Sequence, residues 1–223
     1  MDRRRAWWLP VFACFFAIGS VEPVRAQSLS FYGIHMDPYD QDARDFSRAS
    51  YGGGLQGSFP VPGLGNLIAG SAGLELVNML SETHVFQDPM TGLRVEQQTS
   101  QDYFRFYLGP EIGPQGNGFF RPHVGAHVAV VNHGISVDIV VPDDSDREQD
   151  LRQSVSSKNR ASFGYDLNAG TDLNFGKWFV TGGARYARSF NVPQQLGGEA
   201  VQIHPGYFQI YAGLGMNLRR VKI

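Results

Sequence analysis

The chain has 223 residues, a formal net charge of −2 and a mean hydropathy of −0.23, enough for one sizeable domain and too polar for a bundle of membrane helices. The near-neutral charge, with 19 basic and 21 acidic residues, excludes the basic footprint of a nucleic-acid binder. Aromatic residues reach 13% and there are 27 glycines, a mixture that favours pleated surfaces and tight turns over helices.

The N-terminal stretch "MDRRRAWWLPVFACFFAIGSVEPVRAQS" carries Arg3, Arg4 and Arg5, then an apolar run from Ala6 to Ile18, then Val24-Arg25-Ala26. That order predicts a secretory signal over 1–26, cleaved after Ala26, with the mature domain over 27–223. The apolar run is too short for a membrane anchor and contains Pro10. Cleavage removes Cys14, the single cysteine, so no disulfide framework is available. The mature chain then holds 15 basic and 19 acidic residues, net −4.

Beyond the signal, apolar and polar residues alternate in segment after segment. Strands are expected at 28–36, 49–59 and 66–80, the last with Leu74, Leu76 and Leu80 opposed to Ser71, Gly73 and Glu75. "YFRFYLGPEI" sets Phe104, Phe106, Leu108 and Ile112 against Tyr103, Arg105, Tyr107 and Glu111. "FRPHVGAHVAV" sets Phe120, Val124, Val128 and Val130 against Arg121, His123 and His127. Phe163 to Phe175, Trp178 to Tyr186 and "YFQIYAGLGMNL" (207–218) repeat the pattern, the polar rows holding Asp166, Asp172 and Arg185. Most of these segments reach the ~9–11 residues that cross a bilayer as tilted strand.

The connections alternate too. "DPYDQDARDFSR", "ETHVFQDPMTGLRVEQQ", Asn132 to Ser157 and "NVPQQLGGEAVQIHP" are long, while "PVPGLGN", "GPQGNG" and "NFGK" are short. Threaded this way, Tyr51, Phe104, Phe163, Tyr186 and Phe208 form one outward aromatic row and Phe59, Phe120, Phe175 and Trp178 another. Long loops on one side, short turns on the other and two aromatic girdles describe an all-β, eight-stranded antiparallel up-and-down transmembrane barrel. A soluble lipocalin-like barrel is the alternative, with the apolar rows turned inward around a ligand.

The polar rows of such a barrel point into a lumen only wide enough to be filled by side chains. Glu75, Glu111, Asp166 and Asp172 face Arg105, Arg121 and Arg185 there, with His123 and His127 beside them, and buried charges must pair. The functional alternative to a charge-filled plug is a gate. His123 and His127 stand roughly 13 Å apart on one strand face and cannot share an ion, so neither a metal site nor a cofactor is expected. His133, Ser136 and Asp138 in "NHGISVD" are the candidate catalytic cluster. "ISVDIVV" has the opposite apolar parity to the strand before it, which predicts a bulge near Asn132–Gly134. The segment 134–157 would then offer a strand edge to a surface partner, and "PDDSDREQD" a solvated acidic tip.

The chain resembles the small OmpA/OmpX-type outer-membrane β-barrels over essentially all of 27–223. The likeness lies in this architecture and in Tyr211-x-Gly213-x-x-Met216-x-Leu218, which resembles the C-terminal assembly signature of such barrels; the tail differs in continuing through "RRVKI". The resemblance implies an outer-membrane location, contact with lipid and lipopolysaccharide, passage through the barrel assembly machinery, and a structural or adhesive role carried by the loops. It also implies an alternative, since some eight-stranded barrels are lipid A-modifying enzymes, but the spacing of His133 and Ser136 departs from those deacylases.

Overall fold

The computed structural model describes residues 28–218, apart from 46, 62–63, 65–66, 88–89, 91, 93, 115–117, 142–150 and 197–198. The expected signal segment, the "RRVKI" tail and the whole acidic tip lie outside the described residues.

Eight strands close into one antiparallel barrel: β1 (Ser28–Pro38), β2 (Ser50–Pro60), β3 (Ile68–Gln87), β4 (Arg94–Ile112), β5 (Phe120–Val141), β6 (Leu151–Asn174), β7 (Trp178–Phe190) and β10 (Gly206–Asn217). Each pairs with its neighbours in sequence, and β1 closes on β10 from Ser28 opposite Asn217 to Pro38 opposite Tyr207. A two-stranded hairpin, β8 (Val192–Leu196) with β9 (Glu199–Ile203), lies between β7 and β10. Among the described residues no helix is long and apolar enough to cross a membrane; the crossing is made by strands.

The rows settle by parity. Phe31, Leu76, Leu108, Val124, Val128, Leu167, Ile210 and Leu214 are exposed, while Tyr32, Glu75, Tyr107, Arg105, Asp166 and Arg185 are buried. An apolar exterior around a charged interior is the arrangement of a barrel dissolved in hydrocarbon, and the reverse of the lipocalin alternative. All nine expected girdle residues point outward: Tyr51, Phe120, Phe163, Phe175, Trp178 and Phe208 are exposed, Phe59, Phe104 and Tyr186 half-buried.

Turn chemistry fits the short side. Gly176 holds φ +89° in the β6–β7 turn, a left-handed conformation that glycine takes without a Cβ penalty. Asn217 pins that turn by donating to the Gly176 carbonyl at 2.6 Å. At the closing seam, a Cβ on Gly213 would meet the Phe31 carbonyl oxygen and lie 2.5 Å from Tyr32 Cα, both backbone. A Gly213→Ala variant is expected to push β1 and β10 apart and cost about 1–3 kcal/mol, read as a lower urea midpoint of the folded, fast-migrating form on unboiled gels.

The long side differs from the loops expected there. β3 and β4 stay paired to Gln87 opposite Arg94, and β5 and β6 to Val141 opposite Leu151. The barrel wall therefore continues past the outer aromatic row as a four-stranded sheet. The expected bulge near Asn132–Gly134 is absent, since β5 keeps its parity through His133. Irregularities fall instead at Met79 in β3, between Asn78 and Leu80, and at Val155 in β6, opposite Val137 and Asp138. Ile135 therefore stays on the inner face with His133, where both line one hollow, and the apolar parity of "ISVDIVV" marks a change in what the interior is made of. β5 is paired with β4 as far as Glu96 opposite Val140 and with β6 throughout, so the open edges belong to β3 and β6.

Candidate functional site: the filled lumen and the outer mouth

The interior is built in three storeys. In the middle lies a four-member charge cluster: Arg105 bonds Glu75 Oε2 at 2.9 Å and also Asp166, Arg185 bonds Glu75 Oε1, and Arg185 Nε lies 3.4 Å from Asp166 Oδ1. All four are at most 1% exposed. Two cations and two anions in alternation satisfy each other where no water can, the condition under which buried charge is tolerated. Tyr rings complete the packing. Arg105 and Arg185 each sit 4.7 Å from the Tyr107 ring, and Arg185 is 5.3 Å from that of Tyr211, within cation–π range.

Hydrogen bonds extend the cluster downward. The Tyr32 hydroxyl donates to Glu75 Oε1 at 3.0 Å and meets the Tyr107 hydroxyl at 2.8 Å; Tyr107 donates to Gln56, whose amide donates to Glu111 Oε2 at 3.0 Å. The storey on the short-turn side holds Arg121 with Asp172 at 3.2 Å, His123 Nε2 with the Tyr211 hydroxyl at 3.4 Å, and a polar cavity of about 20 Å³ bordered by Glu111, His123, Asp172 and Ser30. That volume holds about one water molecule. His123 and His127 have separate partners, and among the described residues no three His, Cys, Asp or Glu converge as metal ligands.

The storey on the long-loop side is apolar. Met36, Val77, Met79, Tyr103, Val131 and Tyr207 pack with Ala43. Ala43 belongs to a short helix, α1 (Gln41–Arg44), capped by Asp40 Oδ1 on the Ala43 amide at 2.9 Å. The β8–β9 hairpin adds Val192 and Ile203, both buried, and the His204 amide donates to Asp42 at 2.9 Å, tying hairpin to helix. Beneath the hairpin is a cavity of about 20 Å³ bounded by Met79, Gln101, His133, Ile135, Val192, Ile203 and Tyr207. His133 lies above the outer aromatic row. Its Nε2 is buried with no hydrogen-bond partner, and burial pushes its imidazole down to about 4.

The candidate catalytic residues are kept apart. His133 points inward, whereas Ser136 faces outward and shares a 2.8 Å hydrogen bond with Ser100; Asp138 has the parity of Ser136. A different trio does converge. His127 Nδ1 is 2.7 Å from Asp166 Oδ1 and its Nε2 is 2.7 Å from Ser71 Oγ, the connectivity of a serine-hydrolase triad. Chemistry does not follow. Ser71 is fully buried, its hydroxyl donates to the Gly109 carbonyl at 3.3 Å, neither cavity reaches it, and Asp166 is held by two arginines. The trio is part of the filling.

Sequence reasoning set Ser71, Tyr107 and Tyr211 on the polar rows without a place in the charge network, and did not single out Tyr32 or Gln56. All five carry the inward parity, and that parity was the available signal.

No protein-family model matches the chain, and no curated protein matches it. Among solved structures it is similar to the Neisserial surface protein A, with a TM-score of 0.54 at 10% identity, covering 86% of this chain and 96% of that one. It also aligns with Ail, the attachment invasion locus protein of Yersinia pestis, in complex with a heparin analogue (TM-score 0.43, 12% identity, 85% and 95% covered), and with the N-terminal β-barrel domain of Pseudomonas aeruginosa OprF (TM-score 0.36, 13% identity, 86% and 98% covered). At such identities the likeness speaks of architecture. With its apolar exterior, paired interior charges and all-antiparallel closure, this chain has the fold of the small eight-stranded outer-membrane β-barrels.

Proposed function

We propose that the protein is a non-catalytic barrel of the outer membrane, plugged along its length, that acts at the cell surface through the sheet it raises above the bilayer. The observation that carries this reading is the unequal wall: β3 to β6 run on past the outer aromatic row, while β7, β10, β1 and β2 stop near it. Beyond Asn78, β3 pairs with β4 alone; on β6, pairing with β7 begins at Phe163. No described strand pairs with the outer edges at Ser81–Gln87 and Leu151–Ser162, although β8 approaches β6. Such edges accept an added strand from a partner chain. The filled lumen supports the same reading, because a closed core leaves the surface as the place to act. An export signal, assembly by the barrel machinery and contact with lipopolysaccharide belong to this proposal.

The test displays the intact chain on cells and compares it with Thr83→Pro and Ser157→Pro, each placing a proline on one open edge. Adhesion to a protein-coated surface is expected to fall by about tenfold for at least one variant while heat-modifiable migration is kept; undiminished adhesion in both would sink the edge mechanism. The plug has its own test. Purified protein in planar bilayers is expected to show no steady conductance, and an Arg105→Ala or Glu111→Ala variant that opened a stable channel would favour the gate.

A further inference from the structure

Beneath the β8–β9 hairpin one buried nitrogen is left unbonded by the rest of the protein. His133 is 9% exposed, and its Nε2 has no hydrogen-bond partner in the protein. Tyr103, edge-on at 5.2 Å, holds the ring in place. The ring borders the hollow of about 20 Å³ under the hairpin, room for a single atom-sized occupant. An unsatisfied imidazole nitrogen with such a space beside it calls for one.

The other walls decide which occupant fits. Met79 borders the same hollow. It is the supernumerary residue of the β3 irregularity, since Asn78 pairs with Asp102 and Leu80 with Gln101, and such irregularities re-aim side chains. Met79 is buried and its carbonyl takes the Ser50 hydroxyl at 3.1 Å, which leaves the thioether as the group it can offer. The thioether of Met36, by contrast, already accepts from the Gln209 amide at 3.4 Å. Gln101 adds an amide to the wall, and Ile135, Val192 and Ile203 add hydrocarbon. No charged residue borders the hollow.

Imidazole and thioether are donors for a soft cation. Hard divalent ions take carboxylate and carbonyl oxygens, and none of these walls carries a carboxylate. A singly charged ion also costs least to bring out of water into an apolar space. Thioether donors lie outside the His, Cys, Asp and Glu sets that fail to converge among the described residues. We propose that the hollow holds one Cu(I) ion between His133 and Met79, with the Gln101 amide beside it and the hairpin as its lid. The site stands above the outer aromatic row and is independent of the open edges of the sheet.

Ag(I) is the redox-stable probe of the same softness. Folded full-length protein in detergent, first stripped of metal with a chelator, would be titrated with silver nitrate in chloride-free buffer and weighed by native mass spectrometry. One Ag(I) per barrel is expected, and Cu(I) kept reduced should displace it. Hydrogen exchange at Val192 and Ile203 should slow on binding, since the hollow beneath the hairpin is then filled. Met79→Leu keeps the shape and loses the sulfur. It should weaken binding at least about tenfold, as should His133→Phe, because changes one shell further out already cost about that much. Met36→Leu and Met90→Leu should bind as wild type does. Fast migration on unboiled gels shows that each variant is folded. A wild type that takes up no Ag(I) overturns the site, and so does equal binding by Met79→Leu. Loss of the ion in Met90→Leu instead marks it as adventitious and overturns the site too. Displacement by equimolar Zn(II), or failure of Cu(I) to compete, overturns the choice of ion.

Discussion

Replacing Arg105 by alanine is expected to cost about 3–5 kcal/mol of folding stability. The residue touches both Glu75 and Asp166, so its loss leaves two carboxylates sharing Arg185 in a space without water. Arg105→Met combined with Asp166→Leu removes one ion of each sign and leaves Arg185 with Glu75. The double variant is expected to recover about 1–3 kcal/mol relative to the sum of the singles, because the penalty of a stranded charge vanishes with its partner. Urea unfolding from detergent or liposomes measures all three. Additive losses would mean that the four charges act independently, and that solvent reaches them.

The second large effect depends on pH. Burial holds the His133 imidazole near 4, below its ordinary 6.5, because the ring sits among Met79, Ile135, Val192 and Ile203 and its titratable neighbours offer no counter-anion. Those neighbours are Tyr103, whose ring lies 5.2 Å away, Tyr207 across the cavity, and Arg160 opposite on β6. A group with a depressed folded value that is charged when protonated favours the unfolded side in acid. Its contribution is whole above pH 6.5, declines as pH falls towards 4, and levels off below. The full difference is about 3 kcal/mol. Carboxylates titrate in the same range, so the informative quantity is wild type minus His133→Phe, which should be level above pH 6.5, fall by about 3 kcal/mol between 6.5 and 4, and level off again below. Hydrogen exchange at Val192 and Ile203 is expected to show the hairpin loosening first. A difference that ignores pH would place the ring in water.

Within the bilayer the fold was legible because lipid imposes a strict rule. Each outward position must be apolar and each inward one can be polar, so period-two alternation from Phe120 to Val130 or from Tyr207 to Leu218 marks both strand and sidedness. Beyond the outer aromatic row the rule lapses. "SETHVFQ" and "RVEQQTSQ" carry no sustained apolar row, because water bathes the outside, so β3 and β4 read as a loop there. The β8–β9 hairpin was hidden for a related reason: Pro193 removes a backbone donor, which an isolated two-stranded ribbon tolerates at an edge.

The interior was legible as a membership and not as a wiring diagram. Parity placed Glu75 and Arg185 inside, yet their bond joins residues 110 apart in sequence and depends on the lateral register of strands that are not neighbours. Ser71 and His127 illustrate the same gap, since nothing local in the chain brings them together.

The uneven height of the wall gives the molecule a front and a back. On the β3–β6 side a tall fin rises beside the mouth; on the β7–β1 side the barrel strands end near the outer aromatic row, and the β8–β9 hairpin and α1 lie over the interior. A partner added to the fin would approach from the β3–β6 side, and a neighbour in the same leaflet would meet the shorter wall on the other. Spinning the barrel about its own axis changes which of these two sides faces a given neighbour.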